Sequence, residues 1–266
     1  MPNNQPWLLA ESTLHEVRQA NYEVAVLPFG ATEPHNTHLP YGTDTLEGEA
    51  VGQAICRQAH QDGAKVVLLP AIPYGTETNM HRLPLAMNLN PSTLLIVLSD
   101  LIDSLTRSGI RKVLLLNSHG GNELKPFLRE LCIKTDAQIF LCDWFRMVGD
   151  QYAEIFAEPE DHAGEMETSL GLAFFPELVV HDETGRLRAD DGATRASRFE
   201  AVNEKWVSIT RPWHLLTKQS GSGNPHAATA EKGQALMDLI VSRLAPFLVE
   251  LSNAEVDDDF PFSREA

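Results

Sequence analysis

The feature that most constrains this chain is an alternation. Short apolar runs rich in Val, Ile and Leu recur four times, each followed by a segment with helical periodicity. The run YEVAVLPFG (22–30) reads as a buried strand closed by Pro and Gly. A helix over 45–61 follows, patterned by Leu46, Ala50, Val51, Ala54 and Ile55 and stopped near Gly63. KVVLLPAIP (65–73) reads as the second strand. The next helix starts at Asn90-Pro91, with a cap and then proline in the first turn, and ends at Gly109. RKVLLLN gives a third strand, a helix over about 122–135 comes next, and AQIFLCD (137–143) gives a fourth strand. A short capped helix at 12–20 precedes them all. Strands alternating with helices at these spacings call for an α/β fold with a mostly parallel sheet covered on both faces.

Beyond Asp143 the regularity fades. The chain holds a short helix soon after Asp143, a helix entered near Gly164, a polar stretch over 181–225 with no assignable pattern, and a final amphipathic helix from near 226. The acidic tail, about 254–266, is expected to be mobile. With no internal repeat or linker, residues 1–266 read as a single domain.

In an open parallel sheet, the loops at the carboxyl ends of the strands gather ligand-binding residues. Here the loop after the first strand carries Glu33, His35, His38 and Asp44. The loop after the second carries Glu77, Asn79 and His81, and the one after the third carries His119 with Gly120 and Gly121. The two glycines let backbone approach a ligand closely. Glu-x-His, an Asp nine residues on and a remote histidine offer oxygen and nitrogen ligands without thiolate, a set suited to Zn, Mn or Fe(II). If Asp44 bridged two ions, they would stand about 3.5–4 Å apart and could share a hydroxide, with the pKa of water lowered towards ~7. A plainer reading stays open for each residue taken singly. Asp44 could cap the helix it precedes, and Glu165 and Glu167 of HAGEMETS open a helix, where acids suit the dipole.

The formal charge of -16 excludes the clustered positive surface that nucleic acid or an anionic membrane would need. No stretch approaches the roughly 18 apolar residues of a membrane span, and the N-terminus has no signal-peptide pattern. Cys56, Cys132 and Cys142 are odd in number and sit in apolar contexts, as reduced, buried thiols of a cytoplasmic protein do.

The motifs Gly30-Ala-Thr-Glu33-Pro-His35-x-x-His38-Leu-Pro, Gly42-Thr-Asp44-Thr, Asn117-Ser-His119-Gly-Gly-Asn122 and His162-Ala-Gly-Glu-x-Glu167-Thr-Ser169 together resemble the creatininase (creatinine amidohydrolase) family, over about residues 20–235. The resemblance implies a three-layer α/β/α fold and a hexameric homo-oligomer with two divalent metal ions per subunit. It implies Glu33 and His119 on one ion, His35 on the other and Asp44 between them, with His162 transferring a proton to the leaving nitrogen. His38 then falls to packing behind the ligands.

Two departures matter. The family's namesake enzyme has a glutamate ligand two residues after the metal histidine, where this chain has Gly121. Glu167 is expected to fill that place, with Glu165 as competitor. The namesake also encloses its substrate with tryptophans, one of them just before the catalytic histidine. This chain has no aromatic residue over 158–161, and Trp144 is the expected wall. Gly120, Gly121 and Glu77 complete the expected substrate contacts.

The reaction implied is metal-assisted hydrolysis of a non-peptide C–N bond in a small molecule, a cyclic amide or an N-formyl amide, with Glu167 handling the water's proton. The alternatives are a formylamino-pyrimidine deformylase, a relative that trims a modified peptide, and a binding protein that kept the fold without turnover.

Overall fold

The structure, a computed structural model, describes residues 5–262. Four strands, β1 (Val24–Phe29), β2 (Val66–Leu68), β3 (Lys112–Asn117) and β4 (Gln138–Asp143), form one parallel sheet in the order β2-β1-β3-β4. β1 and β3 lie in the centre, and every residue in them is buried. Their continuous apolar sequences follow from this, because both faces of a central strand are covered.

Successive side chains go to opposite faces. Val24, Val26, Leu114 and Leu116 join one core, and Ala25, Leu27, Phe29, Val113 and Leu115 join the other. The first core is closed by α2 (Thr43–Gln61), α5 (Glu165–Phe174) and α6 (Ala230–Asn253) through Val51, Ile55, Leu170, Leu236, Ile240 and Leu244. The second is closed by α3 (Pro91–Arg107) and α4 (Lys125–Leu131) through Leu94, Leu98, Ile102, Phe127 and Leu131. Three layers, α/β/α, result. α1 (Leu14–Gln19) is a peripheral turn closed by a Thr13–Glu16 capping box.

One contact matters for the site. α5 lies so close to α6 that a Cβ at Gly233 would run into the Ser169 carbonyl. Glycine there lets α6 hold the start of α5 against the sheet edge.

Several expected boundaries move. β2 ends at Leu68 rather than near 73, because Pro70 and Pro73 have no N–H to donate to a ladder. Only an isolated bridge from Ile72 to Phe29 continues it. α4 is shorter than 122–135, because Asn122 is spent on other loops and Pro126 starts the helix afresh. α6 begins after the Thr229 cap, beyond a 3-10 turn at Pro225–Ala227.

All three cysteines are free, but only Cys56 is buried; Cys132 is exposed, against expectation, because its end of α4 faces solvent. In the acidic tail, 255–259 are exposed and Phe260 packs edge-on to Phe140 at 6.2 Å; 263–266 lie outside the described residues. Among the described residues, no helix is long and apolar enough to cross a membrane.

Candidate metal centre

The loops leaving β1 and β3 and the start of α5 meet at one edge of the sheet. Glu33, His35 and Asp44 are at most 1% exposed, and His119 and His162 are also buried. Burial of so many acids and imidazoles is unfavourable unless each is paired or ligates an ion.

His35 is fixed by its own backbone. Its Nδ1 lies 3.0 Å from the Glu33 carbonyl, to which it donates, and Nε2 is left facing Asp44 Oδ1 at 3.2 Å and Glu167 Oε2 at 3.8 Å. His119 turns Nδ1 to Glu33 Oε1 at 3.0 Å and to Asp44 Oδ2 at 3.4 Å. The two Asp44 oxygens thus face different histidines, one on each side. His35, Asp44 and Glu167 offer ligand atoms within 4.8 Å of one another, as do Glu33, Glu77 and His119.

Both Glu33 oxygens and Asp44 Oδ2 are buried without a hydrogen-bond partner. Orphaned carboxylate oxygens facing imidazole nitrogens are what divalent cations satisfy, so the residues present fit a two-ion centre. Burial lifts Glu33 to about 7, with the neighbouring histidines holding it back. Burial likewise lifts Glu167 to about 7, opposed by His35. Burial also disfavours charge on Asp44, but His35 and His119 override it and hold the carboxyl below its usual range. For His35, burial works against the cation, yet Asp44 and then Glu167 raise it to about 10.

The HAGEMETS segment brings two carboxylates with separate tasks. Glu167 Oε2 accepts the Ala163 N–H at 2.5 Å, which holds Ala163 at a positive φ of 52° that residues with a Cβ rarely adopt. Glu165 points away from the centre. Its Oε2 accepts the N–H groups of Ala157 and Glu158 at 2.8 and 2.9 Å, and its Oε1 pairs with Lys232. Glu165 is therefore occupied by the fold, while Glu167 stands beside His35.

His162 donates from Nε2 to the Pro34 carbonyl at 2.9 Å, leaving Nδ1 directed at Glu33 Oε1, 3.5 Å away. Burial lowers its pKa and keeps the ring neutral. His38 pairs with Thr168 Oγ1 at 2.7 Å and ties the loop to α5.

A cavity of about 970 Å³ opens onto this cluster, with Gly120, Gly121 and Glu77 among its walls. Trp144 is not among them. It is 1% exposed, packs in the core behind β4 and donates from Nε1 to Ser118 Oγ at 2.9 Å, so the expected substrate wall is core. The aromatic walls are Trp213, Phe127, Phe145 and Tyr152. Trp213 sits edge-on to His162 at 5.1 Å with Arg211 stacked over its ring at 5.2 Å.

Sequence reading also missed Glu47 and Glu160. Glu47 lies one turn beyond Asp44 on α2, a spacing that would have revealed it, and both its oxygens are buried without partners. Glu160 accepts the N–H groups of Met166 and Glu167, capping α5 from outside the helix; no local signal marks it.

A family model for creatininase (creatinine amidohydrolase) matches residues 10–248. The chain is 30% identical to a mycofactocin precursor peptide peptidase of Mycobacterium ulcerans, over 83% of this chain and 84% of that one. It is 30% identical to a creatinine amidohydrolase of Pseudomonas putida, over 85% and 89%. A Bacteroides fragilis protein solved as a candidate creatinine amidohydrolase superimposes with a TM-score of 0.86 at 35% identity, covering 96% of this chain and all of that one. Solved creatininase structures include a Zn–Zn form and a Mn form. The matched span takes in every element of the sheet and every residue of the centre, and the chain belongs to the creatininase family.

Proposed function

We propose that this chain is a metal-dependent amidohydrolase with a dinuclear centre, cleaving a C–N bond outside ordinary peptides in a small molecule. The observation that carries the reading is Asp44, whose two oxygens face His35 at 3.2 Å and His119 at 3.4 Å. Glu33, Asp44 and His119 would hold one divalent ion, and His35, Asp44 and Glu167 the other; Zn, Mn and Fe all suit mixed oxygen and nitrogen ligands. Such ions would polarise a carbonyl and activate water near neutral pH.

The protein's own groups manage orientation and protons. With Nε2 committed to Pro34, His162 can exchange a proton only at Nδ1, where its neutral form can take over the proton that Glu167 receives from water and pass it to a departing nitrogen. Glu167 is anchored by the Ala163 N–H, so its remaining oxygen is free to receive the proton of an attacking water. Trp213 covers the outer edge of His162 and limits solvent there.

At about 970 Å³ the cavity is near the top of the ~300–1,000 Å³ range for ligand sites. That favours an amide borne on a body larger than a creatinine ring, such as a formylamino heterocycle. A second reading, trimming of a modified peptide, draws on the same spacious cavity and on the 30% identity to a peptide peptidase. In the first reading the protein is a cytoplasmic homo-oligomer, with light scattering as the check on assembly. The test of function is a parallel assay of metal-loaded protein for creatinine ring opening, formate release from formylamino heterocycles and amine release from short peptides. Formate release alone supports the first reading, peptide cleavage the second. No turnover with both ions bound would point to a binding protein.

A further inference from the structure

His119 is gripped from both edges of its ring. The Nδ1 edge faces Glu33 and Asp44, as described above. The Nε2 edge faces Glu77 Oε1 at 2.5 Å and the Thr76 carbonyl at 3.3 Å. Glu77 is 1% exposed, its carboxyl lies beside that of Glu33, and its Oε1 approaches His119 Nε2 without meeting hydrogen-bond geometry. A buried carboxylate in that position is costly unless something cationic faces it, and the Nε2 edge of His119 is what does, while its hydrogen bond goes to the Thr76 carbonyl.

The loop that carries Glu77 is held rigidly. Its own N–H donates to Asn88 Oδ1 at 2.8 Å, and the Thr76 N–H donates to Asn122 Oδ1 at 3.0 Å. Asn122 in turn donates to the Gly30 carbonyl at 3.1 Å and to Asn117 Oδ1 at 3.2 Å. The loops that follow β1 and β2 and the end of β3 are thereby tied together around His119. Gly121 is what leaves room, since a Cβ there would fall on His119 Nε2 and on the Thr76 carbonyl.

We infer that Glu77 is a positioning residue for the centre: it holds the Nε2 edge of His119 so that Nδ1 is presented to the ion between Glu33 and Asp44. This rests on the two-ion reading. One imidazole cannot turn both nitrogens to one ion, so a carboxylate on the Nε2 edge acts behind the ligand. Carboxylates placed behind metal-bound imidazoles fix the tautomer and raise ligand basicity, and losing one typically costs about 10–100-fold in metal affinity. The glycine at 121 and the glutamate at 77 belong together, because any side chain at 121 would displace the contact that Glu77 makes.

The test is titration of chelator-stripped protein with Zn²⁺, and with Co²⁺ as a spectroscopic probe, in wild type, Glu77→Ala, Glu77→Gln and the cavity-wall control Asn79→Ala. Glu77→Ala is expected to weaken one of the two ions by about 10–100-fold, leave the other unchanged and alter one of two Co²⁺ signals. Glu77→Gln, isosteric and used where alanine does not fold, is expected to weaken the same ion by a smaller factor, with Asn79→Ala like wild type. If both Glu77 variants take up two ions with wild-type affinities, the inference is overturned while the two-ion reading stands. If wild type itself takes up fewer than two, both are overturned.

Discussion

The two candidate ion positions differ in how their ligands arrive. At the first, Glu33 and His119 come from loops leaving the adjacent central strands β1 and β3 and Asp44 from the first turn of α2, and all are buried. At the second, His35 and Asp44 are joined by Glu167, which comes from α5 far along the chain and whose side chain is 12% exposed. The first position is built by the sheet edge itself. The second also depends on α5 being docked, through the close α5–α6 contact at Gly233 and the Glu160 cap. A centre assembled this way has one position set by the sheet and one that is conditional.

That contrast can be broken most severely at the residue common to both positions. Asp44→Asn is expected to remove both ions and lower turnover beyond the roughly 10²–10⁴-fold that loss of a general acid–base group brings, read by metal analysis beside the rate. His162→Asn should leave both ions in place and lower kcat by about 10²–10⁴-fold, separating proton handling from ligation. Glu167→Gln should empty the second position and spare the first, so that metal content halves; loss of both ions would mean that the positions do not form separately. Glu165→Gln should leave metal content unchanged and lower Tm by a few degrees, because it loosens a buried pair with the partly exposed Lys232.

The smallest expected effect is on pH dependence. Glu33 and Glu167 stand near 7 in the folded protein, so they keep protons that ordinary carboxylates in the unfolded chain have released. Their contribution to stability is lost as pH rises through about 7. His35, raised to about 10 because Asp44 outweighs burial, acts in the same sense: its contribution is complete below its ordinary value near 6.5 and drains away towards 10. His162, lowered by burial, opposes them around its ordinary value. Chelator-treated protein should therefore lose a few degrees of Tm between about pH 5.5 and 8. Metal-loaded protein should gain over the same interval, because ligation requires these groups deprotonated. Parallel scanning calorimetry of the two forms checks it.

What was legible in the sequence follows the same division. The β1 and β3 segments carry strong strand patterns, and Glu33, His35 and Asp44 sit in a short stretch where strand, turn and helix start follow one another, so local pattern and final position agree. Trp144 failed as a wall because a tryptophan at a strand end reads alike whether its ring turns inward or towards a cavity. Here Ser118 satisfies its N–H in the core. Trp213 and Arg211 come from the polar stretch 181–225, whose course is set by tertiary contacts and carries no period. Glu77 was visible at the correct sheet edge, but its contact depends on two loops meeting over Gly121, which spacing within one segment does not encode. Glu165 and Glu167 could be told apart only once the direction of α5 was fixed, since residues two apart on a helix point to different sides.

The most direct test of the account is metal stoichiometry set against Asp44. Protein purified without chelators, analysed by elemental mass spectrometry and by crystallography with anomalous scattering at the metal edge, should contain two divalent ions per chain with Asp44 between them. The Asp44→Asn variant should contain none. A single ion per chain held without Asp44, or two ions retained by Asp44→Asn, would contradict it.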